Sequence, residues 1–221
     1  SVKDPLTTNE LNVTGTLNIL DAAREANVGR VVFASSSSVY GANAEIPKRE
    51  EMLPMPISPY AVSKLTGEKY CQVFSRIYGL ETVALRYFNV FGPRQDPASS
   101  YAAFIPKFIV GIVGGRKLII NGDGTQSRDF TYVTNVVEAN LRAAEVDGVS
   151  GEVFNIACGS SLTINEVVEQ MRAGLGVEGE IEYGPPAPGD VPHSCADIKR
   201  AREGLGYEPL VPAVEGLNRV V

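Results

Sequence analysis

The chain has 221 residues, of which 44% are hydrophobic and 21% are charged, a composition typical of a water-soluble globular protein. Its net charge of −6 and its scattered lysines and arginines argue against a nucleic-acid-binding surface. No apolar stretch reaches the length of a membrane span and no secretory leader opens the chain, so we expect no membrane partner and a cytoplasmic location.

The first part of the chain predicts alternating helices and strands. Apolar residues at helical spacing predict a helix from about Thr8 to Ala26, and the β-branched run Arg30–Ser35 predicts a buried strand. A hydroxyl N-cap followed by proline, and a glycine at the far end, predict a helix over Pro59–Tyr78. Thr82–Tyr87 predicts a second strand. Strand, helix and strand in this order predict a parallel sheet with right-handed crossovers.

From Asn89 onward the predicted elements are shorter and more often interrupted by glycine and proline. The pattern predicts helices over Tyr101–Val113, from near Asn135, over Thr163 to about Ala173 and over Asp197–Leu205, and strands over Lys117–Ile120, Glu152–Ala157 and Ile181–Tyr183. Such short elements suit a substrate-binding lobe at the mouth of a sheet.

The cysteines and the single histidine predict no reactive or metal site. Cys71, Cys158 and Cys195 are odd in number and widely spaced, which disfavours a disulfide framework and a zinc site. His193 lies in a predicted loop, and no serine nucleophile elbow occurs, which disfavours a Ser-His-Asp hydrolase. We expect His193 to be a solvated loop residue.

Tyr60 and Lys64 form the clearest chemical pair in the chain. They are four residues apart on one predicted helix and therefore share a face. A cation one helical turn away favours the ionised form of a phenol, and a phenolate can take a proton from a substrate hydroxyl. A pair with this spacing also occurs by chance on many helices, so it does not identify an enzyme by itself.

Ser36 is a candidate third member of this proton-transfer set. It ends a predicted parallel strand, and open α/β sheets bind ligands at the carboxyl ends of their strands. The hydroxyl could hold a substrate oxygen and relay its proton. The four consecutive serines, Ser35 to Ser38, leave the choice among them open, since loop serines often satisfy only nearby backbone groups.

Three further polar residues have both a binding and a structural interpretation. Asn12 could contact a cofactor amide or lie on a helix surface. Asn89 follows a predicted strand and suits either a phosphate or sugar contact or a turn. Arg128 could form a forked contact with a diphosphate or an ion pair that stabilises the lobe.

These segments together resemble the extended short-chain dehydrogenase/reductases and, within them, the NAD-dependent 4-epimerases of UDP-hexoses and UDP-N-acetylhexosamines. The matching stretches are Asn12–Asn18, Ser35–Gly41, Ser58–Lys64, Leu85–Pro93, Gly124–Val133 and Gly189–Val191. The resemblance implies an α/β fold: a Rossmann-like parallel sheet, with its N-terminal βαβ units missing, and a smaller C-terminal α/β substrate lobe. It also implies that residues 1–91 belong to a dinucleotide-binding domain. Residues 92–221 would mainly form the nucleotide-sugar lobe, with some segments returning to the main sheet.

The resemblance also implies a role for each candidate residue. The catalytic residues would be Ser36, Tyr60 and Lys64. The NAD contacts would be Asn12, Tyr60, Lys64 and Phe88. The UDP-sugar contacts would be Ser36, Asn89, Arg128, Asp190 and Ser194. The implied reaction moves a hydride from sugar C4 to bound NAD, rotates the keto-sugar and returns the hydride to its other face, with Tyr60 acting as base and then as acid.

Three serines narrow the expected reaction and substrate. Sugar 4,6-dehydratases resemble this pattern but carry an Asp-Glu pair where this chain has Ser37 and Ser38, so elimination lacks its acid. Ser194 stands where relatives restricted to plain hexoses have a bulky tyrosine. We therefore expect room for a 2-acetamido group on the sugar.

The chain departs from the family pattern at two places. Ala187 stands where an arginine usually contacts the diphosphate. The Gly-rich turn of the first βα unit and the acid that holds the ribose do not occur in the 221 residues. The remaining alternatives are therefore an NADPH-dependent keto-sugar reductase of the same superfamily and a non-catalytic nucleotide-sugar-binding fragment.

The resemblance finally implies a homodimer. Its four-helix bundle would use the helices near Thr8–Ala26 and Pro59–Tyr78 of each subunit. The alternative is that the second apolar faces of these helices pack inside a single subunit.

Overall fold

A computed structural model describes residues 1–97, 104–178, 180–186 and 191–221. The helices are α1 (Pro5–Asn9), α2 (Gly15–Glu25), α3 (Pro59–Val73), α4 (Phe104–Val113), α5 (Val133–Glu145), α6 (Ile164–Leu175), α7 (Lys199–Leu205) and α8 (Ala213–Asn218). The strands are β1 (Arg30–Ser36), β2 (Glu81–Tyr87), β3 (Val90–Phe91), β4 (Leu118–Asn121), β5 (Ser127–Arg128), β6 (Thr131–Tyr132), β7 (Glu152–Ile156), β8 (Leu162–Thr163) and β9 (Ile181–Gly184). Single π-helical turns join α1 to α2 (Glu10–Thr14) and extend α3 (Phe74–Tyr78).

The predicted parallel sheet is confirmed. In the described part of the chain β1, β2 and β7 form one sheet in that order, and both pairings are parallel. Ser36, Tyr87 and Ile156 lie in register at the ends of the three strands. The carboxyl ends of the strands therefore meet at one edge of the sheet, which is where such sheets bind ligands.

Helix α3 approaches β1 closely because it carries a glycine at the contact. A Cβ added at Gly67 would lie 2.3 Å from the Phe33 ring, so any larger residue would push the helix away from the strand. The helix begins as predicted, since the Ser58 hydroxyl accepts a hydrogen bond from the Ala61 amide at 3.2 Å. The π-helical extension ends at Gly79, which adopts a left-handed φ of 70°. These contacts position the first turns of α3 beside the end of β1.

The remaining short strands lie in the second half of the chain. β3 pairs with β6 and β4 with β9 in parallel, whereas β5 pairs with β8 in an antiparallel manner. A hydrophobic cluster fills the space between these pairs and the helices beside them, and its most deeply buried members are Phe91, Ile112, Ile120, Val167, Val168, Met171 and Leu217. The predicted capping box of α6 is present, with Thr163 and Glu166 bonded to each other's backbone.

Two element boundaries differ from the predictions for local reasons, and one short helix has no predicted counterpart. The first helix begins at Pro5 because the Asp4 carboxylate accepts a hydrogen bond from the Thr7 amide at 3.1 Å. Helix α7 begins at Lys199, where the amide bonds to the side chain of Asp197 at 2.8 Å instead of continuing a helix backward. Helix α8 has no strong periodic pattern and was not predicted. Residues 101–103 of the helix predicted over Tyr101–Val113 lie outside the described residues.

None of the helices in the described ranges is both long and apolar enough to cross a bilayer.

Candidate functional site

A cleft of about 490 Å³ lies at the carboxyl ends of the central strands. Five of the residues predicted from the sequence line it: Ser36, Tyr60, Asn89, Arg128 and Ser194. Ser36 ends β1, Tyr60 lies in the first turn of α3, Asn89 follows β2, Arg128 belongs to β5 and Ser194 lies in a later loop. The fold therefore gathers residues that are up to 158 positions apart (194 − 36) into one concave site.

Ser36 lines the cleft together with the other three serines of the run, and its hydroxyl makes hydrogen bonds within that run. Ser36 ends β1, and its Oγ accepts hydrogen bonds from the Ser38 amide at 3.2 Å and the Ser38 hydroxyl at 2.9 Å. Because it accepts twice, the Ser36 hydroxyl is free to donate its own proton to a ligand oxygen in the cleft. The neighbouring Ser35 side chain is buried and donates to Glu68.

Lys64 lies between the helix and the strand. Its ammonium donates to the carbonyl of Ala34 at 2.9 Å and lies 5.7 Å from the centre of the Tyr60 ring. Burial lowers the pKa of Lys64, because a low-polarity environment disfavours the charged form. The predicted shared face of Tyr60 and Lys64 is present, with the cation anchored to the strand that carries Ser36.

Asn12 lies in the π-helical turn between α1 and α2 and is connected to Tyr60. Its amide donates to the Ser63 hydroxyl at 3.0 Å, and that hydroxyl donates to the Tyr60 carbonyl at 2.7 Å. A second hollow of about 460 Å³ is lined by Asn12, Tyr60 and residues of the first helix. Tyr60 borders both hollows, so an extended ligand can reach from one to the other along its side chain.

Asn89 adopts an uncommon backbone conformation at the end of β2. Its φ of 26° is positive, which is strained for a residue with a side chain and is frequent at binding sites. Its side-chain amide donates to the Asp129 carbonyl at 3.2 Å, and its carbonyl accepts from the Thr131 amide at 3.2 Å. These two bonds stabilise the strained turn at the wall of the cleft.

Arg128 and Ser194 belong to one hydrogen-bonded wall of the cleft. Arg128 donates to the carbonyls of Ser127 at 2.8 Å and Pro192 at 3.2 Å. The Ser194 amide donates to the Ser127 carbonyl at 3.0 Å. His193 is exposed, as predicted, and its Nδ1 lies 3.0 Å from the Ser127 hydroxyl.

Among the described residues, the predicted cofactor contact Phe88 does not line the cleft. The Phe88 side chain is completely buried in the core, with its ring centre 6.2 Å from that of Tyr40. It faces inward because it packs with the core residues beneath the sheet. Asp190 and Ala187 lie outside the described residues.

Asp129 was not among the predicted site residues, although it follows Arg128 directly. Its fully buried carboxylate accepts hydrogen bonds from the amides of Cys158 at 2.9 Å, Gly159 at 3.0 Å and Ala196 at 3.2 Å. Burial raises the pKa of Asp129 to about 6, against the lowering effect of these amides. The residue connects the turn after β7 to the segment that carries Ser194, so it stabilises the cleft wall from behind.

A buried ion pair behind the cleft was also missed. Arg86 Nε and Nη2 each donate to the Glu68 carboxylate at 2.8 Å, and Ser35 donates to the same carboxylate. Both partners are almost completely buried. The helical spacing from Lys64 to Glu68 could have placed this acid on the helix face of Tyr60 and Lys64, but its partner on β2 has no signal in the sequence.

Comparison with known proteins agrees with this geometry. Residues 1–157 match the NAD dependent epimerase/dehydratase family. The putative UDP-glucose 4-epimerase of Methanocaldococcus jannaschii is 40% identical over 222 residues, covering 100% of this chain and 71% of the relative. Among solved structures, the UDP-N-acetylglucosamine 4-epimerase of Methanobrevibacter ruminantium in complex with UDP-N-acetylmuramic acid is 43% identical, with a TM-score of 0.94 over 100% of this chain and 70% of that one.

A third similar protein is a UDP-glucose 4-epimerase of Thermus thermophilus, solved in complex with NAD. It is 35% identical, with a TM-score of 0.89 over 100% of this chain and 71% of that one. The family match extends over more than half of the chain, and the relatives agree with it in both sequence and fold. The chain therefore belongs to the NAD dependent epimerase/dehydratase family.

Proposed function

We propose that this protein interconverts UDP-sugars that are epimeric at C4, with NAD as its cofactor. The observation that carries this proposal is the meeting of Ser36 and Tyr60 in one cleft, with the Lys64 ammonium one helical turn behind the phenol. The names of the related proteins support the same reaction.

Asn12, Tyr60 and Lys64 fit one end of NAD. The hollow lined by Asn12 and Tyr60 adjoins the cleft, and the Asn12 amide is held in place through Ser63. When bound, NAD supplies the nicotinamide ring that takes up a hydride from sugar C4 and returns it. The Gly-rich phosphate-binding turn does not occur in the 221 residues, so these three residues account only for contacts near the reacting ring.

Tyr60 would act as the proton acceptor and donor of the reaction. Its phenol oxygen removes the proton from the C4 hydroxyl of the sugar, and the Lys64 ammonium stabilises the phenolate that does so. The Ser36 hydroxyl donates to the same sugar oxygen, because its own acceptor positions are occupied by Ser38. The same phenol returns the proton after the sugar has presented its other face.

The other cleft residues would bind the nucleotide sugar. We propose that Asn89 and Arg128 contact the sugar and the diphosphate, since an amide and a guanidinium are suitable hydrogen-bond donors for phosphate oxygens. Ser194 lines the same cleft with a small side chain, which supports acceptance of a 2-acetamido sugar. Asp190 and the NAD contact at Phe88 remain expectations from the family resemblance.

The expected activity is tested with the full-length protein, NAD and either UDP-glucose or UDP-N-acetylglucosamine. We expect NMR to detect formation of the 4-epimer of both sugars without net accumulation of reduced cofactor. Turnover of UDP-glucose with none of UDP-N-acetylglucosamine would refute the acetamido proposal. Stoichiometric consumption of NADPH by a keto-sugar would instead identify a reductase.

We further propose that residues 1–91 form part of a dinucleotide-binding domain and that residues 92–221 mainly form the nucleotide-sugar lobe. The cluster around Phe91 contains only residues from position 91 onward, which supports a separate lobe, whereas the cluster around Leu85 also contains residues between 136 and 207. The pairing of β7 with β2 supports the return of a later segment to the main sheet.

A homodimer through the first helices and α3 is also proposed. These helices expose large apolar side chains, including Leu6, Ile19, Val62 and Ile77, which a second copy could cover. We expect Ile19→Arg to shift the mass measured by sedimentation from dimer to monomer. Ile119→Arg, at a similarly exposed residue of β4, should leave the dimer intact. A monomeric wild-type protein would contradict the proposal.

A further inference from the structure

Asp129 links the segments that carry three of the proposed nucleotide-sugar contacts. It follows Arg128 directly, and its backbone carbonyl accepts a hydrogen bond from the side-chain amide of Asn89 at 3.2 Å. Its carboxylate accepts a hydrogen bond from the Ala196 amide at 3.2 Å, two residues beyond Ser194. Because Asp129 is completely buried, it makes these contacts from behind the wall that Asn89, Arg128 and Ser194 present to the cleft.

The same carboxylate also attaches this wall to the central sheet. It accepts hydrogen bonds from the amides of Cys158 at 2.9 Å and Gly159 at 3.0 Å, in the turn that follows β7. Strand β7 pairs with β2 and ends in register with Tyr87, at the sheet edge where Ser36 lies. The position of the wall relative to Ser36 therefore depends on the geometry of one buried side chain.

These contacts require the ionised form of Asp129. An ionised carboxylate accepts hydrogen bonds at both oxygens, whereas a protonated carboxyl group carries an O–H donor. Three backbone N–H donors face the two oxygens of Asp129, so a proton on either oxygen weakens or displaces at least one of these bonds. Burial raises the pKa of Asp129 to about 6, so this change occurs at only mildly acidic pH.

The other titratable side chains around Asp129 stay neutral while it gains or loses its proton. In the described ranges they are the thiols of Cys158 and Cys195 and the phenol of Tyr207. Burial raises the pKa of all three groups, that of Cys158 to about 11. Arg128 is the charged neighbour on its own segment. The proton on Asp129 is therefore the change that the wall experiences at mildly acidic pH.

We infer that Asp129 is a positioning residue whose ionised carboxylate holds Asn89, Arg128 and Ser194 in the arrangement that binds a nucleotide sugar. The inference rests on the proposed function, because it concerns substrate binding in the same cleft. It assigns the protein an affinity for nucleotide sugars that falls when Asp129 is protonated.

Replacing Asp129 with asparagine removes the charge and keeps the size of the side chain. We expect Asp129→Asn to raise KM for UDP-glucose roughly tenfold, the effect of one misplaced charged hydrogen bond. The proton-transfer residues Ser36 and Tyr60 lie on β1 and α3, so kcat should change far less. The matched control is Asp197→Asn, whose carboxylate accepts a hydrogen bond from the Lys199 amide at 2.8 Å. Asparagine also caps helices well, so this variant should keep the wild-type KM.

The wild-type protein provides a test that does not depend on the folding of a variant. KM for UDP-glucose should rise as the pH falls through about 6, because the diphosphate of a UDP-sugar keeps its charge there while Asp129 does not. Asp129→Asn should show no such rise. Histidines commonly titrate in the same range, and His193 contacts the Ser127 hydroxyl of this wall at 3.0 Å. His193→Gln is therefore the second control and should retain the rise.

Calorimetric titration of Tyr60→Phe with UDP-glucose adds an affinity measurement that does not need turnover, and thermal unfolding verifies that Asp129→Asn is folded. An equal KM in wild type and folded Asp129→Asn would overturn the inference, as would a wild-type KM that is constant between about pH 5 and 8. A fall in kcat without a change in KM, or loss of the rise in His193→Gln, would also overturn it. Affinity that falls at low pH in the titration, without epimerisation of any UDP-sugar by the wild type, would refute the proposed function alone.

Discussion

Replacing Tyr60 with phenylalanine should lower kcat for epimerisation by roughly 10²–10⁴-fold, the usual contribution of a general acid–base group. The substitution removes the phenol oxygen that is proposed to exchange a proton with the sugar and keeps the ring that borders both hollows. Because the ring remains, KM should change far less than kcat. Steady-state kinetics with UDP-glucose measure both values.

The control for this substitution is Tyr78→Phe. Tyr78 lies in the π-helical extension of α3 and is half exposed, far along the helix from the cleft. It loses the same oxygen atom without touching the site, so its kinetics should match the wild type. Full activity in Tyr60→Phe would show that another group transfers the proton.

The second large effect is expected for Glu68→Gln, which should lower the free energy of unfolding by about 3–5 kcal/mol. The variant leaves the Arg86 guanidinium buried without its counter-charge, since Glu68 accepts both of its 2.8 Å bonds. It also weakens the contact with Ser35. Chemical denaturation followed by circular dichroism measures the loss.

Two further variants separate the effect of the lost charge pair from the effect of changed side-chain packing. The double variant Glu68→Met with Arg86→Met removes both charges and should be less destabilised than Glu68→Gln, because no buried charge is left alone. Glu215→Gln breaks an exposed ion pair between α8 and Arg219, the residue that follows the helix, and should change the stability little. A Glu68→Gln protein as stable as the wild type would show that water or another group compensates Arg86.

The Glu68–Arg86 pair also bears on the geometry of the site. It ties α3 to β2 and, through Ser35, to β1. Those three elements carry Tyr60, Asn89 and Ser36 at the cleft. The same contact that stabilises the fold therefore holds the proposed catalytic groups in position.

Local chemistry predicted much of this protein correctly. The hydroxyl at Ser58, the proline after it and the left-handed Gly79 mark the ends of the helical segment that begins with α3, because caps act on neighbouring backbone groups. The four-residue spacing of Tyr60 and Lys64 places them on one face for the same reason. Alternation of strands and helices was sufficient to predict the parallel sheet.

Contacts between distant residues could not be predicted in this way. Glu68 and Arg86 pair across two elements, and Asp129 bonds amides that lie 29 and 67 positions further along the chain. The family resemblance implies a cofactor contact at Phe88, but the side chain of Phe88 packs in the hydrophobic core. Such partners depend on how elements pack, which no short sequence pattern records.

The sequence by itself determined the helix and strand types, the Tyr60–Lys64 pair and the family resemblance, since these depend on neighbours within a few residues or on motif order. Only the tertiary structure decided that Ser36, Asn89 and Ser194 line one cleft and that Glu68 and Arg86 form a buried ion pair. Those contacts depend on which strands and helices the fold places side by side. Burial and register are consequences of long-range packing, so they appear only when the chain is folded.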